Sequence, residues 1–235
     1  MTEFLLAGDP DIPLVLRRSA RAKRISLRIS QLDGRVTLTL PRRCPESEAL
    51  AFAHEKEAWI RKHLEARLED IAVVPGAQLP IGGRMHEVAN VKGRKVVFEN
   101  DRVLVPGPAE RAGKRLAGHL KGVARARLAE ASDHYADKLG LPYTAITLRD
   151  TRSRWGSCTS EGRLMYSWRL ILAPPEVLDY VVAHEVAHLK EMNHSFAFWD
   201  TVERLYGPYD TPRRWLRREA AICTATALVS DGGSA

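Results

Sequence analysis

The chain has few cysteines and lacks any long apolar run. Its 235 residues include three cysteines, Cys44, Cys158 and Cys223, which form no CxxC pair and cannot all be joined in disulfides. No apolar stretch is long enough to cross a bilayer, and residues 1–11 lack the charged and then apolar segments of a secretory signal. We therefore expect a protein of the reducing cytoplasm that makes no membrane contact.

Acidic residues are outnumbered, with 29 Asp and Glu against 36 Lys and Arg, which leaves a formal net charge of +7. Basic residues concentrate in segments 17–24 and 213–218. Such patches can hold nucleic acid or a nucleoside triphosphate, but a solvated basic surface is the commoner explanation of this excess. We therefore favour a polypeptide over nucleic acid as the partner.

The turn-rich stretch 75–80 is a plausible boundary between two regions of an α+β protein. Residues 1–78 are predicted to be β-rich with one helix. Their predicted elements are strands at 24–29 and 35–40 around an Asp33-Gly34 turn, and a helix from Pro45 to about Asp70. The sequence shows no internal repeat and no low-complexity tract.

Residues 79–230 form the second predicted region, and residues 231–235 a flexible tail. The second region begins with short strands and a long helix that Gly140 is suited to end. Its first predicted elements are strands at 85–91, 95–99 and 102–105, a helix at 109–139, and strands at 146–150 and 162–172. The strand at 162–172 is expected to be either an edge strand, to which an extended peptide could add, or an ordinary core strand.

The segment His184-Glu185-Val186-Ala187-His188 places two histidines four residues apart, with an acid beside the first. On a helix, residues i and i+4 lie on one face, so both imidazoles can bind one metal ion. Glu185 then faces the open coordination position, where a carboxylate can take a proton from a zinc-bound water. The pattern predicts one zinc ion per chain and a hydrolase with Glu185 as its general base.

A helix is predicted from Pro174-Pro175 to Asn193, because neither glycine nor proline interrupts this stretch. Apolar residues occupy most of its circumference, which is typical of a core helix. The two histidines could therefore be packed core residues. Their ligand spacing and the acid between them favour a metal site instead.

The third ligand is expected after the second histidine, where Glu191 and His194 are nearest. Glu191 lies on the histidine face but about 4.5 Å along the helix axis beyond His188, which is too far from a metal held between the two histidine levels. Asn193 tolerates the left-handed conformation that ends many helices, so the chain can turn there and bring His194 back. We therefore predict His194 as the third ligand. Two acids of the next helix remain alternatives: Asp200 and Glu203.

Ser195 is predicted to cap that next helix, in which Phe196, Trp199, Val202 and Tyr206 have core spacing. The candidate substrate-binding residues are Arg154, Trp155 and Tyr209. The candidate oxyanion donors are Arg154, Tyr166, Tyr209 and Arg213. Cys158 is interpreted as a small packed residue rather than a nucleophile or fourth ligand, because a catalytic zinc keeps an open position.

The motifs Arg154-Trp155-Gly156-Ser157-Cys158, the stretch 164–172, the stretch 179–188, Asn193-His194-Ser195 and Phe198-Trp199 follow one another in order. This series, within residues 149–217, resembles the YgjP-like metallopeptidases, which are distant relatives of the SprT-like and WLM proteases. The resemblance implies a small β-rich domain followed by a zincin-like domain with an HExxH core helix. It also implies His184, His188 and His194 as metal ligands and Glu185 as the catalytic acid and base.

Three functions follow from these observations. The first is a zinc-dependent peptidase. The second is a metal-dependent nucleoside triphosphate phosphohydrolase or pyrophosphatase, since nucleotide hydrolysis has also been attributed to the family. The third is a DNA-associated SprT-like protease, or a nucleic-acid-binding module in which the HExxH segment is structural.

Overall fold

A computed structural model describes residues 2–30, 34–65, 71–151 and 154–227. The predicted turn residue Asp33, the predicted helix end at Asp70 and the predicted tail 231–235 lie outside these ranges. The chain forms an α+β fold of two compact units, Met1–Glu69 and Asp70–Ala235. The boundary between these units lies nine residues before the boundary that we predicted. No helix in the described ranges is both long and apolar enough to cross a membrane.

The first unit is a four-stranded sheet with two helices. Strands β3 and β4 form the hairpin expected around Gly34, and the buried residues of β4 alternate along the strand. The predicted single helix is divided at Lys56, so that two short helices follow the sheet. The elements are β1 (Thr2–Leu6), β2 (Ile12–Ser19), β3 (Ser26–Ile29), β4 (Val36–Pro41), α1 (Glu46–Glu55) and α2 (Glu57–Glu65).

The second unit begins with a short strand and a second four-stranded sheet, followed by a long helix that ends at Gly140 in the left-handed conformation, as predicted. The elements are β5 (Ile71–Ala72), β6 (Gln78–Ile81), β7 (Arg84–Val91), β8 (Val97–Glu99), β9 (Arg102–Pro106), a 3-10 turn (Ala109–Arg111) and α3 (Ala112–Leu139).

The two four-stranded sheets have the same topology. Their strand orders are β1-β2-β4-β3 and β6-β7-β9-β8, and in each the central pair is parallel while both flanking pairs are antiparallel. The last strand ends at Pro41 in one sheet and at Pro106 in the other. The structure thus contains a repeat that the sequence does not reveal, because the two copies share alternating apolar character rather than residue identity.

A three-stranded sheet lies next in the chain, with the order β10-β12-β11. Its strands are β10 (Ala145–Arg149), β11 (Gly156–Cys158) and β12 (Arg163–Ser167). The edge strand predicted at 162–172 is therefore wrong: β12 pairs with a strand on each side, and Trp168–Leu172 forms a 3-10 turn. The edge strand that follows the Arg154-Trp155 pair is β11.

The metal-binding segment lies on α4 (Pro175–Ala187), which is buried over most of its surface, as predicted for a core helix. The predicted helix end at Asn193 is wrong. The N–H groups of Leu189 and Lys190 bond to the carbonyls of Val186 and Ala187, so the chain leaves the α-helix in a tighter turn. The remaining elements are α5 (Phe196–Tyr206), α6 (Asp210–Arg218), α7 (Ala221–Ala225) and β13 (Thr226–Ala227).

Candidate metal centre

Three imidazoles converge at the end of α4. His184 lies in the last turn of the helix, His188 is its C-cap, and His194 returns just before α5. One ligand nitrogen from each of the three lies within 4.8 Å of the others, and the Nε2 atoms of His184 and His194 are 3.2 Å apart. Two nitrogens bound tetrahedrally to one zinc ion at about 2.0–2.1 Å lie roughly 3.4 Å apart. The spacing therefore fits a zinc ion.

A main-chain carbonyl orients the second histidine. The Nδ1 atom of His188 lies 2.8 Å from the carbonyl oxygen of Glu191. Because a carbonyl only accepts hydrogen bonds, Nδ1 carries the proton, and Nε2 is left with the lone pair that a metal ligand needs. Glu191 thus takes part through its backbone rather than through the carboxylate considered as a ligand.

Burial favours the neutral form of two of the three imidazoles, those of His184 and His188. Burial, and then the neighbouring His188 and His194, lower the pKa of His184 to about 3. Burial also lowers the pKa of His188, against the opposing effect of its hydrogen bond to Glu191. Because a metal competes with protons for these nitrogens, lowered pKa values favour metal binding near neutral pH.

The first histidine has a buried polar atom without a partner. The Nδ1 atom of His184 is buried and forms no hydrogen bond with any described residue. Buried nitrogens without partners are rare in native proteins. Because the Nε2 atom of His184 is the one that faces His194, Nδ1 is not the atom that would bind a metal ion in this cluster.

Aromatic packing holds the three histidines together. The Phe198 ring is fully buried, and its centroid lies 4.4 Å from the His188 ring and 4.8 Å from the rings of both His184 and His194. Phe196, which we predicted to be in the core, is 88% exposed instead. The side of α5 that packs on the cluster is therefore the one that carries Phe198.

The carboxylate between the histidines is buried beside a glycine. Glu185 is 7% exposed, and burial raises the pKa of its carboxyl to about 8 although Arg154 acts in the opposite direction. A Cβ atom on Gly156 would lie 2.5 Å from Cγ of Glu185 and 2.7 Å from its Oε1. Only a residue without a side chain allows Glu185 to occupy this position.

A cavity of about 200 Å³ opens beside this carboxylate. It is lined by His184 and Glu185, and otherwise by aromatic, apolar and glycine residues: Trp155, Gly156, Tyr180, Val181 and Leu216. The structure thus brings one of the three candidate substrate-binding residues, Trp155, into the same cavity as a ligand and the buried acid.

The other two candidate substrate-binding residues lie outside this cavity. Arg154 is exposed and lines a different cavity, although its charge acts on Glu185. Tyr209 stacks on Trp199 at 5.2 Å and on Tyr180 at 6.0 Å between ring centroids. Tyr209 therefore supports residues that contact the histidines rather than lining the cavity.

Several further candidate site residues make packing contacts or ion pairs. The Tyr166 hydroxyl is buried against Ser132 Oγ at 3.1 Å, and the Arg213 guanidinium lies 4.4 Å from the centre of the Trp199 ring. Asp200 pairs with Arg204 and, like Glu203, is not among the clustered ligands of the described residues. Burial, followed by the effect of Glu185, raises the pKa of the Cys158 thiol to about 11, which agrees with a packed residue rather than a nucleophile.

Sequence reasoning missed three contributors to the site. The Glu191 carbonyl has no side-chain signature, and the role of Phe198 depends on the exact end of α4. The glycine at 156 had a signal, because it directly precedes Ser157-Cys158 in a short segment between two predicted strands. Its close approach to Glu185 depends on tertiary packing.

An α+β unit with an HExxH helix, three clustered imidazoles and a buried acid has the features of a metallopeptidase. The model of the YgjP-like metallopeptidase domain matches residues 23–219. The chain therefore belongs to the YgjP-like metallopeptidase family, which confirms the resemblance found in the sequence.

The solved structures include one similar chain, the metallopeptidase zymogen of Pyrococcus abyssi abylysin. It is 22% identical, with a TM-score of 0.35 over 40% of this chain and 91% of that chain. A comparison with curated proteins finds no match.

Proposed function

We propose that the protein is a zinc-dependent peptidase in which Glu185 is the general base. The observation that carries this proposal is the convergence of His184, His188 and His194 at the end of the helix that also presents Glu185 to a cavity. Membership of the metallopeptidase family supports the same reaction class.

The donor set favours zinc. Three imidazole nitrogens suit a borderline-soft ion that accepts tetrahedral coordination, and they leave one position open to water or substrate. When bound, zinc acidifies a water molecule and polarises a carbonyl group. His194 is the exposed ligand, so solvent reaches the site from its side.

Glu185 is suited to accept and return a proton. Burial raises the pKa of its carboxyl to about 8, which is close to neutral pH, where a general base and acid works best. We expect the carboxylate to take a proton from the water molecule that attacks the peptide carbonyl, and to deliver this proton to the departing amine. Gly156 has no side chain and therefore leaves the space that the carboxylate occupies.

The edge strand β11 offers a binding surface for an extended peptide. Its neighbours in sequence bond to β12: the Trp155 carbonyl accepts from the Ser167 N–H at 2.9 Å, and the Thr159 N–H donates to the Arg163 carbonyl at 3.0 Å. Because ladder bonds come from alternate residues, the main-chain groups of Gly156 and Cys158 face away from β12. A peptide added at this edge would pass beside Glu185.

The nucleotide-hydrolysing alternative has weaker support. Phosphoryl chemistry usually uses Mg²⁺ held by carboxylates, whereas the three clustered ligands of the described residues are all imidazoles. We therefore place peptide hydrolysis first, ahead of nucleotide hydrolysis and of the DNA-associated alternatives.

The test is hydrolysis by the zinc-loaded wild type and the Glu185→Gln variant, with an unstructured protein and a nucleoside triphosphate as separate substrates. We expect the wild type to cleave the protein and the variant to lose roughly 10²–10⁴-fold in rate while keeping its zinc. Glu176→Gln, an exposed acid on the same helix, serves as the control. Nucleotide hydrolysis without peptide cleavage, or full activity of Glu185→Gln, would refute the proposal.

A further inference from the structure

The sheet face that carries the Ser157 side chain holds a second, strongly basic cavity of about 460 Å³. Alternate residues of all three strands line it: Thr147 and Arg149 of β10, Ser157 of β11, and Arg163 and Met165 of β12. Leu164 and Tyr166, which alternate with Arg163 and Met165 along β12, are buried in the hydrophobic core, although Leu164 also borders the cavity. Side-chain alternation thus separates a basic face from the face that packs in the core.

The cations of this cavity are available to an anion. Arg149, Arg154 and Arg163 are exposed, and none of them forms an ion pair with a carboxylate of the described residues. The nearby Asp150 is paired with the buried Arg169 at 2.5 Å. Thr147 and Ser157 add hydroxyl donors to the lining, whereas the Thr151 hydroxyl donates to the Arg154 carbonyl at 2.9 Å. Guanidinium groups and hydroxyls together suit a carboxylate, which guanidinium can bind through two parallel hydrogen bonds.

The basic cavity lies on the same edge strand as the candidate active site. Gly156 and Cys158 of β11 face the side of Glu185, whereas Ser157 between them lines the basic cavity. In a strand added beside β11, each residue directly opposite a β11 residue has its side chain on the same face of the sheet. The substrate residue opposite Ser157 would therefore have its side chain on the sheet face that carries the three arginines.

On this basis we propose, building on the peptidase function above, that the substrate carries an aspartate or glutamate opposite Ser157. The acidic side chain would extend toward Arg163, one strand beyond β11, and toward the charge of Arg149, two strands beyond β11, while the flanking substrate residues face Glu185. An acidic peptide fits better than a nucleic-acid strand, because no aromatic ring among the described residues lines the cavity to stack on a base. The protein would thus select acidic segments of unfolded or extended polypeptides.

The test uses two peptide sets that are identical except for glutamate or glutamine at each position in turn. Cleavage is measured with the zinc-loaded wild type, and binding is measured by anisotropy with zinc-loaded Glu185→Gln. At one position relative to the cleaved bond, we expect kcat/KM and affinity to be roughly tenfold higher for glutamate, as for a charge-assisted hydrogen bond. This preference should decrease at high salt.

The double substitution Arg149→Gln with Arg163→Gln should reduce the glutamate preference, which is the ratio of kcat/KM for the glutamate and glutamine peptides, to within about twofold. Arg102→Gln, an exposed arginine of β9, should leave the preference intact. Cleavage by the wild type without a glutamate preference would overturn the proposed selectivity alone. Failure to cleave any peptide would overturn the peptidase function.

A nucleic-acid role is a separate outcome. If the double substitution abolishes salt-dependent binding of a single-stranded oligonucleotide while the peptide preference is absent, then the cavity is a nucleic-acid site and the acidic-peptide proposal is wrong. If oligonucleotide binding is the same in the wild type and the double variant, and the peptide preference is lost in the variant, then the proposal stands.

Discussion

At the scale of single residues, the three histidines reach one point by different means. The positions of His184 and His188 can be predicted from the sequence, because residues i and i+4 of a helix lie on one face. The sequence predicts His194 through a left-handed Asn193, but Asn100 is the only described residue besides glycine that has a positive φ. The chain turns earlier instead, and the Asn193 side chain accepts a hydrogen bond from the Ser195 N–H at 3.0 Å.

Gly156→Ala tests the close contact between β11 and the buried acid. The new methyl group would displace the Glu185 carboxylate, since its Cβ would lie 2.5 Å from Cγ of Glu185. We expect a loss of about 10²-fold or more in kcat, with zinc content unchanged, because the displacement moves the base and leaves the histidines in place. Kinetics and metal analysis measure the two effects.

Gly118→Ala is the matched control, because Gly118 lies within α3 and a methyl group added there would have no neighbouring atom within 4 Å. It should leave activity unchanged and raise stability by roughly 0.5–1 kcal/mol, as alanine favours a helix interior. Full activity of Gly156→Ala would show that the contact does not position Glu185.

At the scale of elements, sequence reasoning got the end of α4, the orientation of α5 and the edge strand at 162–172 wrong. Hydrophobic spacing identified α5 and its buried Val202, but it placed the exposed Phe196 in the core instead of Phe198. That choice depends on how the chain turns between His188 and Ser195, which is set by main-chain hydrogen bonds. The three-residue strand β11 was likewise too short to produce a periodic signal.

Phe198→Ala should destabilise the protein far more than Phe196→Ala. Phe198 is fully buried against all three histidine rings, so its truncation leaves a cavity and should cost about 3–5 kcal/mol. Phe196 is 88% exposed, so its truncation should change the free energy of unfolding by no more than about 0.5 kcal/mol. Urea unfolding of the two variants makes the comparison, and equal losses would contradict the packing described for α5.

At the scale of the whole molecule, the α+β class and the long helix α3 could be predicted from composition, periodicity and the Gly140 cap. The shared topology of the two four-stranded sheets could not, because it depends on strand pairing that distant residues determine. The candidate site was more predictable than the fold around it, since ligand chemistry restricts residue type and spacing more tightly than a core does.

Removal of the metal should lower stability without unfolding the protein. The core beneath α4 consists of apolar residues such as Val182 and Val186, which are buried independently of any ion. At a metal concentration about 1,000 times Kd, binding contributes roughly 4 kcal/mol. For a chain of this size that corresponds to a decrease in Tm on the order of 10 °C on chelation.

Calorimetry and circular dichroism, recorded with zinc and with a chelator, measure this change. Helical signal at 25 °C should be the same in both conditions. Loss of that signal on chelation would mean that the metal is needed for folding itself, and an unchanged Tm would mean that no metal is bound.

The most direct measurement of the central claim is the zinc content of the loaded and desalted protein, in the wild type beside His194→Ala and His134→Ala. His134 is exposed on α3 and lies outside the cluster, so its variant is the control. We predict one zinc per chain in the wild type and in His134→Ala, and loss of at least most of it in His194→Ala. A wild type that binds no zinc, or a His194→Ala variant that binds as much as the wild type, would contradict the three-histidine centre.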